Sequence, residues 1–185
     1  QILALQTRSL RELSAQTYNS AQIEALVESQ NKARTASFNL GNETIYIAYL
    51  ETASSAAGEK MVAIAALIPD CAQIGGLYVD PDYARQGIAT QLLTHVEAIA
   101  TAQQMRALKV MSSLVAAPFY EAMGYSRLFS RMVRFEGETV GCIEMAKALG
   151  DHDFPSALTT ELNRQVAWTL APLVIVVVAV WIASS

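Results

Sequence analysis

The chain has 185 residues, a formal net charge of −4 and a sequence pI of about 5.2, and this length is enough for one domain with a single core. The acidic balance argues against nucleic acid as a partner, because a phosphate backbone is bound by a basic face. The two cysteines, Cys71 and Cys142, lie in apolar strand-like stretches without metal-ligand spacing. We therefore expect two reduced core thiols and no metal site.

The first 68 residues predict a helical region followed by two strands. Asn19 and Gln22 have the spacing of a helix-capping box, and the apolar residues after them supply one buried face. Two strands are predicted over residues 44–51 and 60–68. The connector 52–59 is small and polar, which is typical of a hairpin loop.

The stretch 73–93 predicts a strand, a tight loop and a helix. The strand ends at Val79, because Pro81 cannot continue a ladder, and Gly87 opens a helix whose first N–H groups have no intrahelical partner. Such a turn suits a phosphate or pyrophosphate, although an ordinary strand-to-helix turn has the same pattern. The glycine pair Gly75–Gly76 within the strand indicates a bulge or the close approach of another backbone.

The rest of the domain alternates helices and strands. The helix after Gly87 is predicted to bury one face, formed by Ile88, Leu92, Val96 and Ile99. A strand over 107–112 precedes a short helix that Pro118 begins and Gly124 ends. Two closing strands are predicted over 125–135 and 139–147. His95 and His152 fall at polar positions, where we expect them to be solvated.

Two segments of the chain resemble motifs of one superfamily. The loop Ala84-Arg85-Gln86-Gly87-Ile88-Ala89 resembles motif A of the Gcn5-related N-acetyltransferases (GNAT), which reads Gln/Arg-x-x-Gly-x-Gly/Ala, and Ala116–Tyr125 resembles motif B. The resemblance covers roughly residues 10–149. It implies an α/β fold with a central twisted mixed β-sheet flanked by helices, a GNAT domain over 1–149, and acetyl-CoA as cosubstrate for acetylation of an amine.

The resemblance also implies site residues. Backbone groups of Leu77 and Val79 would pair with the pantetheine arm of the cofactor, and Tyr120 would protonate the departing thiolate. Ser113 stands where the family often has asparagine and would still bond the cofactor. The pyrophosphate would be bound by the loop and helix start, namely by Arg85, Gln86, Gly87, Ile88 and Ala89. The first motif position is Ala84 rather than glutamine or arginine. No general base is identified among the acidic residues near strand ends, Glu51, Asp70 and Asp80.

The C-terminal part differs in composition from the domain. Residues 150–165 are expected to form a linker and a juxtamembrane helix, and 166–183 carry no charge. As a helix, 166–183 would span about 27 Å, close to the ~30 Å thickness of a bilayer core, with Trp168 and Trp181 near its ends. We expect a transmembrane tail anchor rather than a buried core helix, with the N-terminal domain on the cytoplasmic or stromal side.

Two function hypotheses follow from these features. The first is a membrane-anchored, acetyl-CoA-dependent N-acetyltransferase. The second is a weakly active or inactive accessory or assembly subunit of a larger membrane complex, such as a photosynthetic or respiratory one, with other membrane-protein subunits as partners. Binding of acetyl-CoA by the folded domain distinguishes the two hypotheses.

Overall fold

A computed structural model describes residues 1–51, 59–153, 155 and 177–178 of the chain. The helices of this part are α1 (Ile2–Ser14), α2 (Ser20–Leu40), α3 (Ile88–Ala102) and α4 (Ala117–Ala122). Its strands are β1 (Thr44–Glu51), β2 (Glu59–Ile68), β3 (Gln73–Val79), β4 (Ala107–Ser113), β5 (Ser126–Phe135), β6 (Glu138–Ala148) and β7 (Val177–Val178).

The strands form one mixed sheet in the order β1-β2-β3-β4-β6-β5, and β7 pairs with β4. Within that order, neighbouring strands are antiparallel except at the centre, where β3 and β4 run parallel. Strand β7 also runs parallel to β4. The α3 crossover connects this parallel pair, as parallel strands require. The carboxyl ends of β3 and β4 therefore lie at the same edge of the sheet, and the loops that follow them meet there.

Helices cover both faces of the sheet, as the resemblance implies. On one face, α1 and α2 bury residues such as Leu10 and Leu26 against Ile64 and Val140. On the other face, α3 and α4 bury their apolar side chains, among them Leu93 and Phe119, in a cluster with residues of β2, β3, β4 and β6. The sheet core is thus apolar on both sides, which fixes the register of the central strands.

Most of the predicted elements are confirmed, with shifts of one or two residues at their ends. The capping box is confirmed in full: the Gln22 N–H donates to Asn19 Oδ1 (2.9 Å), and the Asn19 N–H donates to Gln22 Oε1 (3.1 Å). Pro118 lies in the first turn of α4, and Gly124 follows it with φ +88°. Helix α1 was not predicted, and three of the five residues that it buries are polar, namely Gln6, Ser9 and Ser14, which a search for an apolar face does not count.

The predicted buried face of α3 is partly wrong. Leu92 and Val96 are buried, but Ile88 and Ile99 are only partly so, and Ala89, Leu93 and Ala100 complete the buried stripe. The helix lies on the sheet with residues 89, 93, 96 and 100 facing inward. The small side chains of Ala89 and Ala100 allow its two ends to approach the sheet closely. His95 is exposed, as expected, and its ring meets the edge of Tyr46.

Among the described residues, no helix is both long and apolar enough to cross a membrane. Of the predicted membrane segment 166–183, the structure describes only Val177–Val178, which form a short strand. The predicted juxtamembrane helix over 154–165 lies outside the described residues, apart from Pro155.

Candidate active site

The central feature of the sheet is a gap between β3 and β4. These strands pair at only two positions, Gln73 with Lys109 and Ile74 with Val110. The opposite edge of β4 is paired with β6 along its whole length, so the pairing of Met111 and Ser112 with β7 must use the edge that faces β3. An extended backbone segment of the same chain thus pairs with the edge of β4 that β3 leaves free.

A β-bulge marks the closed end of the gap. In the antiparallel pairing of β2 with β3, Leu67 lies opposite Ile74 and Ala66 lies opposite Gly76, which leaves Gly75 as an extra residue. The bulge predicted from the glycine pair is therefore confirmed. It follows directly after Ile74, the last residue of β3 that pairs with β4, so the bulge and the separation of the two strands coincide.

A loop with two residues in the left-handed region follows β3. Asp80 caps a short 3-10 turn over Pro81–Tyr83, and then Arg85 (φ +63°) and Gly87 (φ +78°) both adopt the left-handed region. The first intrahelical bond of α3 joins the Gln91 N–H to the Gly87 carbonyl (3.0 Å). The N–H groups of the first turn of α3 therefore have no helical partner, and this arrangement together with the helix dipole makes a site for an anion.

An ion-pair network fixes this loop to helix α1. Arg8 contacts Asp80 Oδ1 through Nη1 and Asp82 Oδ1 through Nη2, both at 2.8 Å. Lys60 contacts Asp80 from the other side at 3.4 Å and lies over the ring of Tyr83. The hydrogen bond to Arg8 lowers the pKa of Asp82. Sequence reasoning missed this network, because Arg8 and Asp80 are 72 positions apart and nothing local connects them.

Tyr120 lies fully buried beneath the sheet on the α4 side. Its ring meets the edges of Phe119 and Tyr125, both at 5.2 Å between centroids. Its hydroxyl has no hydrogen-bond partner among the described residues, and burial raises its pKa well above 10, with smaller contributions from Tyr78 and Glu97. This hydroxyl therefore keeps its proton at neutral pH.

The structure brings only some of the predicted site residues together. The buried side chains of Leu77, Val79, Ala89 and Tyr120 belong to one apolar cluster. Ser113 is buried at the end of β4, where its Oγ accepts the Ala116 N–H (3.1 Å) and so shapes the turn into α4. The remaining predicted residues lie in or beside the loop: Arg85 and Gln86 are exposed, and Gly87 and Ile88 are partly buried.

Tyr18 is a further residue at the end of β4 that the sequence did not single out. Its hydroxyl donates to the Gly141 carbonyl and accepts the Leu114 N–H, both at 2.8 Å. Burial raises its pKa to about 12. Tyr18 thus fixes the turn between α1 and α2 to the end of β4, beside the open end of the gap.

Comparisons with known proteins agree with this geometry. Residues 14–149 match the profile of the Acetyltransferase (GNAT) domain. The GCN5-related N-acetyltransferase "Aminotransferase, Class-II" from Rhodopseudomonas palustris is 30% identical, with a TM-score of 0.68 over 80% of this chain and 87% of that one. The search of curated proteins found no match.

More distant solved structures share the fold alone. The PaiA N-acetyltransferase from Thermoplasma acidophilum, solved with coenzyme A, is 16% identical over 80% of this chain and 90% of that one, with a TM-score of 0.53. A GNAT-family acetyltransferase from Desulfovibrio desulfuricans is 16% identical over 80% of this chain and 92% of that one, with a TM-score of 0.54.

Replacing Gly87 with alanine is expected to weaken the binding of acetyl-CoA at least tenfold. An added Cβ meets nothing closer than Gln91 Nε2 at 3.9 Å, so the effect comes from the left-handed φ of +78°, which alanine adopts at a cost of about 1–2 kcal/mol. Relaxing φ turns the adjacent amides away from the anion.

The matched control is Gly137→Ala in the β5–β6 turn, where φ is +93° and the space is also open. It carries the same backbone strain far from the loop, so it should lower the unfolding temperature similarly and leave the affinity unchanged. Equal losses of affinity in both variants, measured by calorimetric titration, would contradict the loop assignment.

Proposed function

This chain belongs to the GNAT family of acetyltransferases, and from that premise we propose that it transfers the acetyl group of acetyl-CoA to an amine acceptor. The observation that supports this most is the gap between β3 and β4, which leads to the amide-lined loop at residues 84–89. An acyl-CoA has the complementary parts in the same order: an extended arm with amide groups, then a pyrophosphate.

In the proposed reaction, the neutral amine attacks the thioester carbonyl carbon, and the carbonyl oxygen becomes negatively charged. Collapse of this intermediate re-forms the carbonyl, releases the CoA thiolate and leaves an acetylated amine that loses a proton. We assign backbone groups of Leu77 and Val79 to the pantetheine arm and the hydroxyl of Tyr120 to protonation of the thiolate. Ser113 helps to position the start of α4, on which Tyr120 lies.

The proposed activity is tested first by calorimetric titration of acetyl-CoA into the full chain and into a shorter protein ending at Asp153. Both should bind with micromolar affinity. The shorter protein should bind at least as tightly, because it lacks Val177–Val178, which pair with β4 along the edge that the pantetheine arm would use.

The alternative function is an accessory subunit of a membrane complex that keeps the fold without catalysis. It is favoured if neither protein binds acetyl-CoA while both unfold cooperatively. Tighter binding by the full chain would instead contradict the competition between β7 and the cofactor arm.

Replacing Tyr120 with phenylalanine is expected to lower kcat about 100-fold, since proton transfer by a positioned group contributes about 10²–10⁴-fold. The affinity for acetyl-CoA should stay within about twofold of the unchanged protein, because the ring and its packing remain. The measurement is the steady-state release of CoA with the best acceptor from a panel of small amines.

The chain offers a matched control in Tyr125→Phe. Tyr125 is also a buried tyrosine, and its ring contacts that of Tyr120. We expect this variant to keep kcat within about threefold. If the two variants lose turnover equally, the loss reflects packing, and the role assigned to Tyr120 is wrong.

We further propose that residues 166–183 anchor the protein in a membrane, with the domain on the cytoplasmic or stromal side. The support is the uncharged, apolar run and its flanking Trp168 and Trp181. Partner subunits in that membrane belong to the same proposal. The segment then has two possible locations, because Val177–Val178 also pair with β4.

A flotation experiment with phospholipid vesicles tests the membrane location. The full chain, purified in detergent and reconstituted, should float with the vesicles and resist extraction by high salt or alkaline carbonate. The protein ending at Asp153 should stay in the aqueous fraction. Recovery of the full chain in the aqueous fraction would contradict the proposed anchor.

A further inference from the structure

A buried ion pair lies on the α1–α2 face of the sheet, beneath the glycine bulge. Arg34 of α2 pairs through Nη1 with Glu43, which directly precedes β1, and both side chains are only 3% exposed. The Arg34 Nε–H also donates to Gln6 Oε1 of α1 (3.2 Å). Arg34 thus connects both helices of this face to the sheet.

The ion pair lies directly against the backbone of the bulge. A Cβ added to Gly75 would be 2.5 Å from Glu43 Oε1, and one added to Gly76 would be 2.7 Å from Arg34 Nη2. Both positions therefore point at the same ion pair, as expected for the two residues of a bulge, whose side-chain positions share one face. A side chain at either position would displace a charged group of this pair.

The side chain of Tyr78 lies next to Gly76 on the same face of the sheet as Arg34 and Glu43. Its Cε2 would be 2.7 Å from a Cβ at Gly76, and its hydroxyl donates to Gln30 Oε1 (3.2 Å). Burial raises the pKa of Tyr78, so the hydroxyl remains a donor. The polar groups beside the bulge are thus fixed in turn by hydrogen bonds that reach α1 and α2.

The bulge determines where the gap begins. Pairing of β3 with β4 ends at Ile74, the bulge follows, and Leu77 is the next residue whose backbone we assign to the acyl-CoA arm. We propose that Arg34 and Glu43 are positioning residues for acyl-CoA: they hold the bulge in place, and through it the backbone of Leu77. This inference rests on the proposed function for the identity of the ligand.

A role in stability alone accounts poorly for this ion pair. Burying two charges costs more free energy than leaving an ion pair at the surface. A protein with apolar residues of similar volume in their place is often as stable or more so. What apolar side chains do not supply is the fixed planar geometry of a guanidinium, bonded at once to a carboxylate and an amide. The Arg34–Glu43 ion pair is therefore better explained by a requirement for a defined position of the bulge backbone.

The test compares the unchanged protein with the double variant Arg34→Met/Glu43→Leu. The control is Arg11→Met/Glu24→Leu, which removes another Arg–Glu pair between α1 and α2, one that is more than half exposed and away from β3. For each full-length protein we would measure the unfolding temperature, the affinity for acetyl-CoA and the amide hydrogen exchange of residues 74–79.

We expect the Arg34/Glu43 double variant to unfold near the temperature of the unchanged protein, to bind acetyl-CoA at least tenfold more weakly and to exchange the Gly75, Gly76 and Leu77 amides at least tenfold faster. The control should change none of the three quantities by more than about twofold. A folded double variant with unchanged affinity and exchange overturns the inference.

A second variant, Arg34→Lys, covers the case in which the double variant does not fold. It keeps the charge next to Glu43 but loses the Nε–H bond to Gln6 and the planar guanidinium beside Gly76. Weaker binding of acetyl-CoA and faster exchange of the bulge amides are therefore expected here too. If the unchanged protein binds no acetyl-CoA, the proposed function fails on its own. Hydrogen exchange of the bulge then still decides: faster exchange in Arg34→Lys supports the inference, and unchanged exchange overturns it.

Discussion

The structure depends on the early separation of two parallel strands in the middle of the sheet. β3 and β4 share two residue pairs, and beyond Ile74 and Val110 their facing edges are free of each other. Buried backbone groups without partners are costly, so the gap requires an occupant that offers donors and acceptors in an extended arrangement. β7 meets that requirement in the structure, and an amide-bearing cofactor arm meets it in the proposed reaction.

The two faces of the sheet contribute differently to this gap. The α1–α2 face carries the charged contacts: Arg34 with Glu43 at the closed end, and Arg8 with Asp80 and Asp82 at the loop beyond the open end. The α3–α4 face holds Tyr120 in an apolar cluster and carries an ion pair of its own, Lys147 with Glu97. Contacts on the α1–α2 face therefore determine the shape of the gap. Tyr120, the residue assigned to proton transfer, lies on the α3–α4 face, where burial keeps its hydroxyl protonated.

Local sequence patterns predicted most helices and strands, but they did not predict the contacts between residues that are distant in sequence. The Asn19–Gln22 capping box, the bulge at Gly75–Gly76 and the turn at Gly87 each depend on backbone requirements that a few neighbouring residues reveal. The partners of Asp80 and of the glycine pair could not be predicted, because Arg8, Arg34 and Glu43 are distant in sequence and become neighbours only when the helices dock. The motif resemblance identified Tyr120, but only the fold shows that its hydroxyl is buried.

The same distribution of charges bears on where the proton of the amine goes. Glu43 is engaged by Arg34, Asp80 by Arg8 and Lys60, and Glu97 by Lys147 at 2.7 Å. A carboxylate that already accepts hydrogen bonds from a cation is poorly placed to take a proton from an incoming amine. These three buried or largely buried carboxylates are thus all engaged in ion pairs. On the proposed reaction, the amine must lose its proton before it attacks, because only the neutral amine has a free lone pair for the thioester carbonyl carbon.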